Sequence, residues 1–227
     1  SRRFSSGTDI TNTSILSGAV HTVQPDPGTE LDDECLTAPV LRLSVMVVGN
    51  YRATEGVPLE MVVQELPALA DAPIPEVGSL PGWTPMEASE PQEVTPGTSF
   101  NDAAPVTPGT SYDVDIMPGE VLFFTLPATF GQAVQMRVDS DPARMSQTQI
   151  DALGRYGELL VRNVYTPQRA EILNLLGGVD GIGGLDGDRN MIVRPDRPES
   201  GATSSGQIRF SNRNTVSGPF TEGDYYF

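Results

Sequence analysis

Apolar residues along this chain recur at a spacing of two or in short unbroken runs, and Gly and Pro punctuate those runs. Residues 41–48 and 57–66 are β-rich apolar runs of strand length. Residues 112–116, Tyr-Asp-Val-Asp-Ile, alternate apolar with acidic side chains, the pattern of a half-buried strand. Pro118-Gly119 marks a turn, and 120–126 follows as a strongly apolar strand. Residues 133–138 alternate again, 158–165 and 170–176 read as strands, and 207–210 and 224–227 complete the set. Only 146–156 has a helical pattern, with Ile150 and Leu153 on one face and Ser146 as N-cap. Between the first two strands and the later ones, residues 67–98 are rich in Pro, Glu and small side chains with little periodicity.

Many short strands, Gly and Pro turns and a single helix predict an all-β chain. A parallel sheet would need repeated crossover helices, which the pattern lacks. The expected architecture is therefore an antiparallel β-sandwich, jelly-roll-like, with one short helical insertion. The expected organisation is a β module over 1–66, a Pro-rich linker or wrapping segment over 67–95, and a sandwich module over 96–227. A faint echo links Gly7-Thr8-Asp9-Ile10 to Gly97-Thr98-Ser99-Phe100, each followed by a strand and then a Pro-Gly pair at Pro27-Gly28 or Pro118-Gly119. Two related modules account for the echo, and chance similarity between Gly- and Thr-rich turns accounts for it nearly as well.

The order Gly97-Thr98-Ser99-Phe100-Asn101-Asp102-Ala103, Pro108-Gly109-Thr110-Ser111-Tyr112, Pro118-Gly119-Glu120-Val121-Leu122-Phe123-Phe124 and Phe130-Gly131-Gln132 resembles the bacterial pre-peptidase C-terminal domain. More closely, it resembles tandem modules of actinobacterial surface proteins that also carry a von Willebrand factor type A domain. Tyr165-Thr166-Pro167-Gln168-Arg169-Ala170, Ile208-Arg209-Phe210-Ser211-Asn212-Arg213 and Glu222-Gly223-Asp224-Tyr225-Tyr226 fit the same picture. The resemblance covers residues 95–227. It implies a small sandwich, export, membrane attachment through segments outside this chain, and no catalytic residues. The insertions near 141–156 and 177–189 depart from it, and specialised function is expected there first.

Composition narrows the chemistry. The chain of 227 residues carries 30 acidic side chains against 14 basic ones, a formal charge of -16. Such a surface repels polyphosphate, so nucleic acid and anionic lipid are poor partners. All the cations are arginine; the absence of lysine points to a GC-rich genome such as an actinobacterium's. It also excludes a Schiff base, a Walker A loop and a Ser-Lys dyad. The single cysteine, Cys35, lies beside Asp32, Asp33 and Glu34, where its thiol is expected to be inert; with one His and one Cys, a Cys/His zinc site is excluded. His21 lies in an alternating run without a nucleophile elbow and reads as an ordinary strand histidine. No run is long and apolar enough for a membrane span. No leader-like segment opens the chain, and 224–227 reads as a strand cut short, so a piece of a longer protein is expected.

One loop has the spacing of a metal site. Asp186, Asp188 and Asn190, with Asp180 upstream, follow the Asp-x-Asp-x-Asn pattern that sets oxygen ligands on one side of a tight turn, as calcium requires. Met191 and Arg197 stand where a calcium loop has its Gly and Glu, and a flexible acidic loop is the plainer reading. The function expected from all this is a non-catalytic, extracytoplasmic cell-envelope module that binds a protein partner. The alternatives are a carbohydrate-binding module for wall glycans, using Trp83 or Tyr112, and an envelope hydrolase with two facing carboxylates.

Overall fold

A computed structural model describes residues 40, 60–63, 89–117, 120–153, 159–161, 164–172, 191–193, 199–209, 212 and 219–227. The chain divides into two units, Thr22–Ala72 and Ser1–His21 with Pro73–Phe227. In the first unit the described residues, 40 and 60–63, lie in neither helix nor strand. The strand predicted over 57–66 is thus not formed across 60–63. A β-rich run becomes a strand only where pairing and burial follow, and Met61, Val62 and Val63 face solvent.

In the larger unit the chain forms β1 (Gln92–Glu93), β2 (Ala104–Pro105), β3 (Tyr112–Asp113), β4 (Phe124–Ala128), β5 (Ala133–Ser140), a 3-10 turn (Pro142–Arg144), α1 (Gln147–Leu153), β6 (Leu159–Val161), β7 (Met191–Val193), β8 (Glu199–Gln207) and β9 (Gly223–Tyr226). The described chain is β-rich, with very little helix. Strand order is β1-β3, β2-β4-β9, β5-β8 and β6-β7. The pairs β4–β9, β5–β8 and β6–β7 are antiparallel. The pairs β1–β3 and β2–β4 are parallel, against the antiparallel expectation. Each engages only two residues per strand, which a loop connection can supply without a crossover helix. Beyond β9 the middle sheet continues through single bridges from Tyr226 to Tyr165 and from Tyr165 to Glu171.

One core gathers side chains from both of the longer pairings. Ala128 of β4, Val134 of β5, Tyr225 of β9, Val164, Ile172 and Ile208 are buried together, with Leu126, Phe130 and Phe227 packed against them. Strand β8, Glu-Ser-Gly-Ala-Thr-Ser-Ser-Gly-Gln, has no hydrophobic alternation, and the sequence pattern places a strand only at its end. Its residues 201–205 are nevertheless consecutively buried. Hydroxyl groups make this tolerable by finding partners inside the sheet: Ser205 Oγ accepts from Val134 N at 3.0 Å and donates to Gly206 O at 2.7 Å. Thr203 Oγ1, also buried, has no hydrogen-bond partner among the described residues.

The predicted helix is present over Gln147–Leu153, and its start follows the sequence signal. Ser146 Oγ accepts from Gln149 N at 3.3 Å, while Gln149 Oε1 accepts from Ser146 N at 2.8 Å. This reciprocal capping box satisfies two donors that the first turn leaves free.

Candidate functional site

Two neighbourhoods combine exposed or charged side chains with defined geometry. The first is built around Phe100. Its ring meets Phe123, Tyr165 and Tyr226 edge-on, with centroids at 5.0, 5.1 and 5.2 Å, a geometry set by the aromatic quadrupole. Arg169 lies 5.3 Å over the same ring and donates to Asn101 Oδ1 at 2.6 Å. Arg169 is held there in the left-handed region, φ 60°, by the turn in which Arg169 N bonds Thr166 O and Thr166 N bonds Ala170 O. Stretches far apart in sequence, 97–103, 165–170 and 222–226, therefore meet at one ring.

Asp102 ties the first of these stretches together. Its carboxylate accepts from Ser99 Oγ at 2.7 Å, Thr98 N at 3.0 Å, Thr98 Oγ1 at 2.9 Å and Ser99 N at 2.6 Å. The Ser99 hydroxyl bond, followed by the Thr98 bonds, holds its carboxyl far below the usual carboxylate range. Gly97 exchanges two backbone bonds with Phe123, each 3.0 Å. Asp102, through Thr98 N and Ser99 N, and the Gly97–Phe123 bonds hold this stretch of backbone in place.

A sequence repeat explains how the second neighbourhood arises. Val94-Thr95-Pro96-Gly97-Thr98-Ser99-Phe100 recurs as Val106-Thr107-Pro108-Gly109-Thr110-Ser111-Tyr112. A short strand leads into each copy, β1 into the first and β2 into the second. The copies then diverge. Gly97 has no positive φ, whereas Gly109 has φ +76° in a turn closed by Thr110 N to Thr107 O at 3.3 Å. Phe100 enters the aromatic junction, but Tyr112 accepts Thr107 N on its hydroxyl at 2.9 Å and stays half-buried. That bond holds the phenol below its ordinary range.

After Tyr112 the chain emerges. Val114, Ile116 and Met117 are 43, 40 and 70% exposed, so of the half-buried strand predicted over 112–116 only Tyr112 and Asp113 form it. Strand β3 ends at Asp113, where its pairing with Glu93 of β1 ends. Among the described residues, the backbone groups of Val114, Asp115 and Ile116 make no hydrogen bond. The segment closes at Glu120, whose carboxylate accepts from Met117 N at 2.9 Å and whose N–H bonds Met117 O at 3.0 Å. Acids surround it. Arg144 pairs with Asp113 at 2.6 Å, and this contact, with smaller contributions from Asp115 and Asp141, raises the guanidinium's pKa. The patch thus already holds one cation of the chain's own.

The calcium-spaced residues Asp180, Asp186, Asp188 and Asn190 lie outside the described residues, as do Trp83, His21 and Cys35. Among the described residues no group of three or more His, Cys, Asp or Glu side chains is placed to hold a metal ion. No helix among them is long and apolar enough to cross a membrane. Comparison with protein-family models, with curated proteins and with solved structures finds no match to this chain.

Proposed function

We propose that this chain is a non-catalytic interaction module of a bacterial cell envelope, working outside the cytoplasm by holding a protein partner. The observation that carries the reading is the exposed run Val114, Ile116 and Met117. Apolar side chains grouped in solvent are a feature of protein contact surfaces. The charge of -16 argues against nucleic acid and anionic lipid as the occupant. The envelope location rests on the resemblance to modules of actinobacterial surface proteins.

The β-sandwich reading belongs to the same proposal. It is supported by the core shared between the β4–β9 and β5–β8 pairings, and by Tyr225. This buried phenol donates to Thr221 O at 2.7 Å, four residues upstream. Such a bond marks the tyrosine corner of antiparallel sandwiches.

The test is retention of an envelope partner by the tagged chain, compared with the variant carrying Ile116→Asp and Met117→Asp. Thr148→Asp on α1 serves as the surface control, and thermal melts confirm folding. Loss in the double variant alone supports the reading. Equal retention by all three chains moves the contact elsewhere, and no retained protein in any of them refutes it.

A further inference from the structure

We propose that residues 114–117 form an open strand edge that takes up an extended segment of the partner, one whose apolar side chains alternate with Lys or Arg. The inference rests on the interaction-module reading above and names its mode and the partner's chemistry. Three observations converge. The segment runs on directly from β3, yet Val114, Asp115 and Ile116 leave their N–H and C=O groups unpaired among the described residues. An edge with free backbone groups is a template for strand addition, in which main-chain bonds give affinity and alternate side chains give selectivity. The apolar residues Val114 and Ile116 sit two apart, one on each side of Asp115, and are exposed. An added strand with its own apolar residues in register would cover them.

Charge identifies the occupant. Asp115 stands in the middle of the edge, and the local acids already draw Arg144 to Asp113 at 2.6 Å. A second copy of this chain would set acid opposite acid, which is unfavourable in cross-strand pairs, and would bring a further charge of -16. A strand with a basic residue opposite Asp115 makes the favourable pair instead. Asp115 therefore both guards the edge against self-pairing and selects what pairs with it.

The experiment uses the full chain and immobilised synthetic peptides: one alternating Val and Arg, the same peptide N-methylated at alternate residues, and one alternating Val and Asp. The Val-Arg peptide is expected to bind roughly tenfold more tightly than its N-methylated form, because N-methylation removes the pairing donors and keeps the side chains. The Val-Asp peptide is expected not to bind, and amide exchange should slow at residues 114–116 only with the Val-Arg peptide. Equal binding by the N-methylated peptide, equal binding by the acidic peptide, no binding of the Val-Arg peptide, or protection confined to other residues overturns strand addition. If an envelope partner is still lost on changing Ile116 and Met117 while these peptides fail, the interaction reading stands without strand addition. If the peptides fail and no envelope protein is retained by any of the chains, both fail.

Discussion

Replacing Gly97 by alanine tests whether the first Val-Thr-Pro-Gly-Thr-Ser copy is shaped by space rather than by backbone torsion. A Cβ there would lie 2.3 Å from Asp102 O and 2.6 Å from both Asp102 C and Ala103 Cα. All three are backbone atoms, so no side-chain rotation relieves the contact, and the loop must open by about 1 Å to restore van der Waals distance. The strands on either side resist. Gly97 and Phe123 exchange two 3.0 Å bonds, and Ala104 N adds a third to the Phe123 carbonyl. Losing the Gly97–Phe123 pair costs about 2 kcal/mol at about 1 kcal/mol per bond. Loosening Phe100 from its three edge contacts costs about 1 kcal/mol more. Alanine's narrower unfolded ensemble returns about 0.5–1 kcal/mol. The net loss of about 2–2.5 kcal/mol lowers the urea midpoint by about 1–1.25 M at an m-value of about 2 kcal/mol/M. Gly109→Ala is the comparison. Nothing lies within 4 Å of a Cβ at Gly109, but its φ is +76°, so the cost is torsional, about 1 kcal/mol. Urea unfolding of the two variants separates these origins. Gly109→Asn should recover part of its loss because Asn tolerates positive φ, and no side chain should rescue Gly97. A Gly97→Ala midpoint within error of the unmodified chain, or one no lower than that of Gly109→Ala, refutes the steric argument.

Asp102→Asn should lower the urea midpoint at neutral pH and flatten the acid side of the stability profile. The folded carboxyl sits well below its ordinary value of 3.8, so its stabilisation is complete above about pH 4 and lost as pH falls toward the folded value; midpoints measured down to low pH follow this. Tyr225→Phe leaves Thr221 O without its buried donor and should cost about 1–2 kcal/mol, read by thermal melt. Thr203→Val should raise stability by about 1 kcal/mol, because the buried hydroxyl it removes has no partner among the described residues; a lower melting temperature would show that the hydroxyl is satisfied. Phe100→Ala should cost about 3 kcal/mol in the same assay, since the ring links Phe123, Tyr165 and Tyr226.

What could be read from the pattern depended on whether a residue's role was local. The alternation at 133–138 lies within β5, Ser146 caps α1 as expected, and the apolar run at 120–126 leads into β4. Strand β8 escaped because its interior position rests on hydroxyl bonds and small volume, which leave no hydrophobic period. The aromatic junction was legible only as disconnected motifs, since nothing local brings Phe100 to Tyr226. The exposed edge departs from its pattern for the opposite reason. Val114 and Ile116 have the period of a half-buried strand, and no described neighbour buries them. A local rule that breaks without structural compensation is where function is to be sought.

The position of β9 governs when this protein can assemble. It is paired on one side with β4, through Thr125 and Tyr226, and on the other with Tyr165. Both partners precede it in the chain, β4 by a wide margin, so each must wait, half-exposed, while the intervening sequence is made. Such non-local closure slows folding and leaves sticky edges open in the meantime. Truncation ahead of β9 would therefore leave a chain arrested before its central sheet closes, with Tyr165 and β4 as the points from which it aggregates.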